Sequence, residues 1–137
     1  MGTCFLNKIQ GMRIEHIAIW SPDIEALRAF YCQYFGCVAG NRYENRAKGF
    51  SSYFLRFADG ARLELMQKTG IERRADQPSF GLTHFAVAVG SEAKVIEMTN
   101  DLRTTGIRVA SEPRWTGDGY FESVVLDPDS NAIEITI

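Results

Sequence analysis

Arg13-Ile-Glu-His-Ile-Ala-Ile-Trp20 and Leu82-Thr-His-Phe-Ala-Val-Ala-Val89 are the two stretches that decide the fold. Each alternates as a half-buried strand does, and each is followed by helix punctuation. After Trp20 come Ser21-Pro22-Asp23: a favoured N-cap, a proline tolerated at the first helical position and an acid suited to the helix dipole. Ile24, Leu27, Tyr31 and Tyr34 then share one helical face, and Gly36 is the stop. After Val89, Ser91 opens a second helix with Val95, Met98 and Leu102 on one face and Gly106 as its stop.

Each helix is followed by further strands. In the first half these are Ser52–Phe57 and Ala61–Met66, joined by Asp59-Gly60, a strong hairpin signal. A polar loop, Asn41 to Gly49, precedes them. In the second half they are a short strand at Ile107–Val109, then Phe121–Leu126 and Ala132–Ile137, the last two joined by the turn Asp127–Asn131. Arg114 to Tyr120 reads as a polar and aromatic loop.

The chain is thus one β-α-β-β-β unit written twice. His16 maps onto His84, 68 residues on; Glu64 maps onto Glu134 and Asp59-Gly60 onto Asp129-Ser130, each 70 residues on. This predicts one α+β domain over 12–137, built of modules 12–67 and 82–137 and joined by the polar linker 68–81. Neither small module buries a sheet face alone, so the two must pack together, and their seam is the natural place for a site.

Composition limits the function. The chain has 137 residues, 45% of them hydrophobic and 23% charged, with a net charge of −2. That suits one globular domain. It lacks the basic field that nucleic acid or an anionic membrane requires, so neither is expected as a partner. The longest apolar run, Phe85 to Val89, is far too short to span a bilayer or form a signal sequence. The expectation is an untargeted cytoplasmic domain. Cys4, Cys32 and Cys37 are odd in number and lack zinc-site spacing, and they read as reduced, buried small hydrophobes.

Histidine carries the chemistry. A lone strand histidine, or a strand glutamate facing water, is commonplace. Here the only two histidines, His16 and His84, occupy equivalent repeat positions, and so do Glu64 and Glu134. Two imidazoles and two carboxylates form a mixed donor set for a divalent first-row metal: nickel, cobalt, manganese, iron(II) or zinc. Period two sets Ala18 beside His16, Arg62 and Met66 beside Glu64, Ala86 beside His84, and Ala132 and Thr136 beside Glu134. The three alanines leave room for a small-molecule substrate. Arg42, Asn45 and Lys48 in the first-half loop, with Arg62, and Arg114, Trp115 and Tyr120 in its counterpart, are the candidates to grip that substrate through charge and aromatic contact.

These motifs resemble the vicinal oxygen chelate superfamily, the glyoxalase/bleomycin-resistance/extradiol-dioxygenase group. The resemblance rests on Glu15-His16-Ile-Ala-Ile with Asp23, Phe30-Tyr31, Phe35-Gly36, Leu63-Glu64-Leu65, Gly81-Leu-Thr-His84-Phe-Ala-Val and Leu126-Asp-Pro-Asp-Ser-Asn-Ala-Ile-Glu134. It implies paired modules forming a cupped mixed sheet around a metal, with His16, Glu64, His84 and Glu134 at the four ligand positions. The His-Glu-His-Glu order resembles glyoxalase I. That implies a lyase or isomerase acting on an α-oxo or α-hydroxycarbonyl compound, a thiol hemithioacetal among them, through a metal-bound enediolate. Glu134 is the first choice for the proton-transferring carboxylate and Glu64 the second. Analogy with small members of the family implies a homodimer. Two other readings stand beside this one: a metal-dependent oxygenase or thiol transferase of the same fold, and a non-catalytic protein that binds a small molecule or antibiotic.

Overall fold

A computed structural model describes residues 12–72 and 80–137. Cys4 and the Arg73–Ser79 part of the expected linker lie outside them. Strand β1 (His16–Trp20) leads into α1 (Ile24–Phe35), followed by β2 (Val38–Ala39), β3 (Tyr43–Asn45), β4 (Phe50–Arg56) and β5 (Arg62–Lys68). The second module runs β6 (His84–Ala88), α2 (Glu92–Thr104), β7 (Val109–Trp115), β8 (Phe121–Leu126) and β9 (Ala132–Thr136). In each, the first strand pairs in parallel with the last: the first sheet runs β1-β5-β4-β2 with β3 also on β4, and the second runs β6-β9-β8-β7. The fold is the expected α+β one, two mixed sheets that cup without closing.

Local differences from the sequence reading have physical causes. The cap of α1 is Asp23, not Ser21: the Ser21 N–H extends the β1 pairing by donating to the Met66 carbonyl at 2.8 Å, and its hydroxyl accepts from Asp23 N. Asp23 Oδ1 accepts from Ala26 N, and Gln67 Oε1 from Ile24 N. Ser91 caps α2 as expected. The loop expected at 41–49 contains β3 and a 3-10 turn, Arg46–Lys48, which the Asn45 side chain caps by accepting from Lys48 N. The segment expected as a short strand and a loop is one strand, β7. Pro113 breaks its pattern and its register shifts twice, which is tolerated because β7 is a sheet edge.

Alternation gives each sheet two faces. The helix face carries Tyr53, Leu55, Leu63 and Leu65 in the first sheet and Val125, Ile133 and Ile135 in the second, all buried with Ile24, Leu27 and Tyr31 of α1 and Val95 and Leu102 of α2. Cys37 joins this core and Cys32 is half-buried, both unpaired, and burial pushes the Cys37 thiol up to about 12. The other face of each sheet is open.

No strand pairing joins the two sheets among the described residues. A cleft of about 440 Å³ runs between Ile17 and Leu63 on one side and Phe85 to Ala88 on the other. The modules meet through α1, whose Tyr31 ring lies 6.1 Å from that of Phe85 and whose hydroxyl donates to Asp127 Oδ2 at 2.7 Å. Asp127 is 4% exposed. Its oxygens also accept from Asp129 N, Asn131 N and Asn131 Nδ2, so one carboxylate folds the β8–β9 turn and receives the other module. That turn holds Ser130 at φ 67°, where its repeat counterpart, Gly60, stands at φ 81°.

Burial and the facing Asp127 carboxylate push the Tyr31 hydroxyl far up, so it remains a donor throughout the working pH range. Tyr31→Phe removes the donor and leaves the carboxylate buried. Urea titration is expected to show about 1.5–3 kcal/mol lost, the usual scale for a hydrogen bond to a charged group.

Candidate metal and substrate site

The open faces carry the residues of interest. The strand register places Ala18 beside Glu64 and Glu64 beside Phe54; in the second sheet Ala86 lies beside Glu134 and Glu134 beside Val124. His16 and His84 start the edge strands of the two sheets, one step before those alanines. On the first face His16 Nε2 is 3.9 Å from Glu64 Oε1; on the second His84 Nε2 is 3.0 Å from Glu134 Oε1. Both histidines stay well exposed, at 42% and 38% of the side chain, while the glutamates are more enclosed.

Each histidine thus meets its own module's glutamate. The two pairs do not converge: among the described residues no three of His, Cys, Asp and Glu gather closely enough to hold a metal.

The first pair has a tight setting. The His16 ring meets Phe54 edge-on at 5.3 Å, and the Arg62 guanidinium stacks over the same phenyl at 4.1 Å. Arg62 in turn grips both oxygens of Glu15, and that guanidinium holds the Glu15 carboxyl below its ordinary range.

The other expected substrate residues separate. Arg42 bonds Glu25 of α1, Glu44 and Ser51, on the helix side of the sheet. Lys48 is exposed on the 3-10 turn that Asn45 caps. Arg114 pairs across to Glu122, on the same face as Glu134, whereas Trp115 pairs with Phe121 and meets its ring at a tilt of 56°, on the helix side. Tyr120 is exposed just before β8.

Glu122 falls in the strand expected at Phe121–Leu126 but is not among the candidate site residues expected from the sequence. The register aligns it with Thr136, one step from Glu134 on the same face. Repeat arithmetic was the available signal, since its counterpart at 52 lies on a strand. Burial first, and the Glu134 carboxylate second, push its carboxyl up.

Two cupped modules, each with a histidine on the first strand and a glutamate on the last, now lie over a family-model match to the Glyoxalase/Bleomycin resistance protein/Dioxygenase superfamily that spans residues 13–135. The chain belongs to that superfamily. Among curated proteins it is 30% identical over 122 residues to the mitochondrial methylmalonyl-CoA epimerase of Bos taurus, covering 85% of this chain and 67% of that one. It is 28% identical over 127 residues to the Bacillus subtilis protein YqjT, covering 89% and 96%. Among solved structures it superposes on the trypanothione-dependent glyoxalase I of Leishmania major with TM-score 0.74 at 23% identity, covering 91% and 86%. Glyoxalase I from Zea mays gives TM-score 0.75 at 21% identity; this chain covers only 44% of that longer one. These structural likenesses establish the superfamily's fold. No described helix is long and apolar enough to cross a membrane.

The Glu122 shift sets a pH dependence in metal-free protein. A carboxyl raised in the folded state binds more protons there than in the unfolded chain, where its pKa is about 4.3. Its contribution is therefore present below that value and is lost as pH rises through the folded pKa. Glu122→Gln is expected to raise the melting temperature at pH 7 and to lose this advantage in acid, as read by thermal melts across pH.

Proposed function

We propose that this chain is a metal-dependent lyase or isomerase of the glyoxalase I type, acting on an α-oxo or α-hydroxycarbonyl compound. The observation that carries the reading is the doubled pair, His16 with Glu64 and His84 with Glu134, at equivalent positions on two open faces. The named activities of the relatives, an epimerase and glyoxalase I, support the same reaction class.

The donor set suits a divalent ion. Two ligands bound at about 2.0–2.2 Å stand roughly 3.0–3.4 Å from one another. The 3.0 Å separation in the second module fits this spacing, and a small side-chain rotation closes the 3.9 Å one in the first. Each pair alone is short of the three or four protein ligands such an ion takes. We assign the missing two to a second copy: module one of one protomer faces module two of its partner, which makes two four-ligand sites per homodimer. Exposed Ile14 and Leu82 beside the two open edges give that contact apolar surface to cover.

A divalent ion held there supplies Lewis acidity for the negative charge that develops on the carbonyl oxygen as the neighbouring carbon loses its proton. Glu134 takes that proton through a carboxylate oxygen. Ala132, Thr136 and, across the ladder, Ala86 leave the carbon a path to it. Glu64 is the second carboxylate, placed to relay to the adjacent carbon the proton that Glu134 gives up, so that both end the turnover ionised. A thiol hemithioacetal is one substrate to assay, with and without added thiol.

Complementation tests the shared site. Glu64→Ala and Glu134→Ala each disable both sites of their own homodimer. A mixed dimer contains one site with both substitutions and one with neither. Mixing the two variants is therefore expected to restore metal binding and turnover in part, and an absence of restoration after verified subunit exchange would place all four ligands within one chain. Separately, Glu134→Gln keeps an oxygen ligand but loses the base. Turnover per bound metal is expected to fall about 10²-fold or more, while metal content falls less than in His84→Ala.

A further inference from the structure

The two open faces match at the metal pairs and diverge one step further along the strands. On the first, a cross-strand row runs Trp20, Met66, Ser52 and Tyr43. On the second, the equivalent row runs Ala88, Thr136, Glu122 and Arg114. One row is aromatic and apolar; the other is small, polar and charged. Two residues of strand separate these rows from Glu64 and Glu134, about 7 Å.

The aromatic row is a built surface. Phe50, on the same face as Ser52, joins Trp20 and Tyr43: its ring lies 6.3 Å from the Trp20 ring at 90° and 6.1 Å from the Tyr43 ring at 60°. Trp20 remains 46% exposed and Tyr43 54%. An edge-to-face arrangement leaves ring faces available to a further ring. Ala18, between His16 and Trp20, leaves the way open from the histidine to the indole.

We infer that the substrate carries an aryl group, and that this group lies on the Trp20–Phe50–Tyr43 surface while its vicinal oxygens are held at the His16–Glu64 end. This rests on the metal-site reading above and adds the substrate class. Because only one of the two facing rows is apolar, the aryl group has a single side to occupy, and the substrate is oriented before any proton moves.

L-Lactate and L-3-phenyllactate test this, since they present the same vicinal oxygens and differ by a phenyl ring. Each is titrated by calorimetry into the nickel-loaded homodimer, and into Trp115→Phe, in which Trp20 is the sole indole and its fluorescence reports the ring. Phenyllactate is expected to bind about tenfold more tightly than lactate, the scale of burying and stacking one phenyl group, and to quench Trp20. Trp20→Ala is expected to remove that preference while leaving lactate affinity and the sedimentation coefficient unchanged.

Equal affinities in the parent protein, or a preference that survives Trp20→Ala, would overturn the inference. So would dissociation of the dimer by Trp20→Ala, which would make the aromatic surface a subunit contact. Failure of the metal reading looks different: lactate then binds no better with nickel than without it, and the aryl inference falls with it. Nickel-dependent lactate binding with no phenyl preference removes the aryl inference alone.

Discussion

One buried hydrogen bond, Tyr31 to Asp127, ties the first module to the second beside their apolar packing. Among the described residues the sheets share no ladder, and the modules meet at helix α1, where Tyr31 bonds Asp127. A buried carboxylate is costly unless its oxygens are satisfied. Asp127 meets that condition with three donors from its own turn and one from the neighbouring module. Donors of the turn and of α1 thus meet on one carboxylate, which links the second hairpin to the first helix.

That joint uses the helix faces and leaves the opposite faces free. With Ile133, Ile135, Leu63 and Leu65 committed to the shared core, alternation alone turns Glu64 and Glu134 outward, onto the open side. The parallel pairing of first and last strand then brings each histidine to its own glutamate. The packing that stabilises the chain and the chemistry proposed for it thus use alternate residues of the same strands.

Much of this was legible in the sequence because it depends on period and repetition. The matched His and Glu positions, the two helices with their apolar faces and the hairpin at Asp59-Gly60 all follow from local pattern, and all are present. What escaped was non-local. Ser21 looked like a cap, and only its bond to Met66 across the sheet shows that it continues the β1 pairing. Pro113 hid an edge strand. Arg42 looked available for substrate until Glu25, on another element, took it up. The aromatic surface at Trp20, Phe50 and Tyr43 draws on three strands with no common sequence motif, and register alone assembles it.

The two hairpin turns descend from one pattern yet differ as places to alter the chain. Gly60 sits in open space, and among the described residues the Asp59 carboxylate bonds its own neighbour's N–H. Added residues there cost little beyond loop closure, which grows slowly with length. At Ser130 the same insertion separates Asp127 from Asn131 and loosens the carboxylate that receives Tyr31. New termini, a fused reporter or an affinity tag are therefore accommodated at the first turn and excluded from the second, so a circularly permuted chain is best opened at Asp59-Gly60.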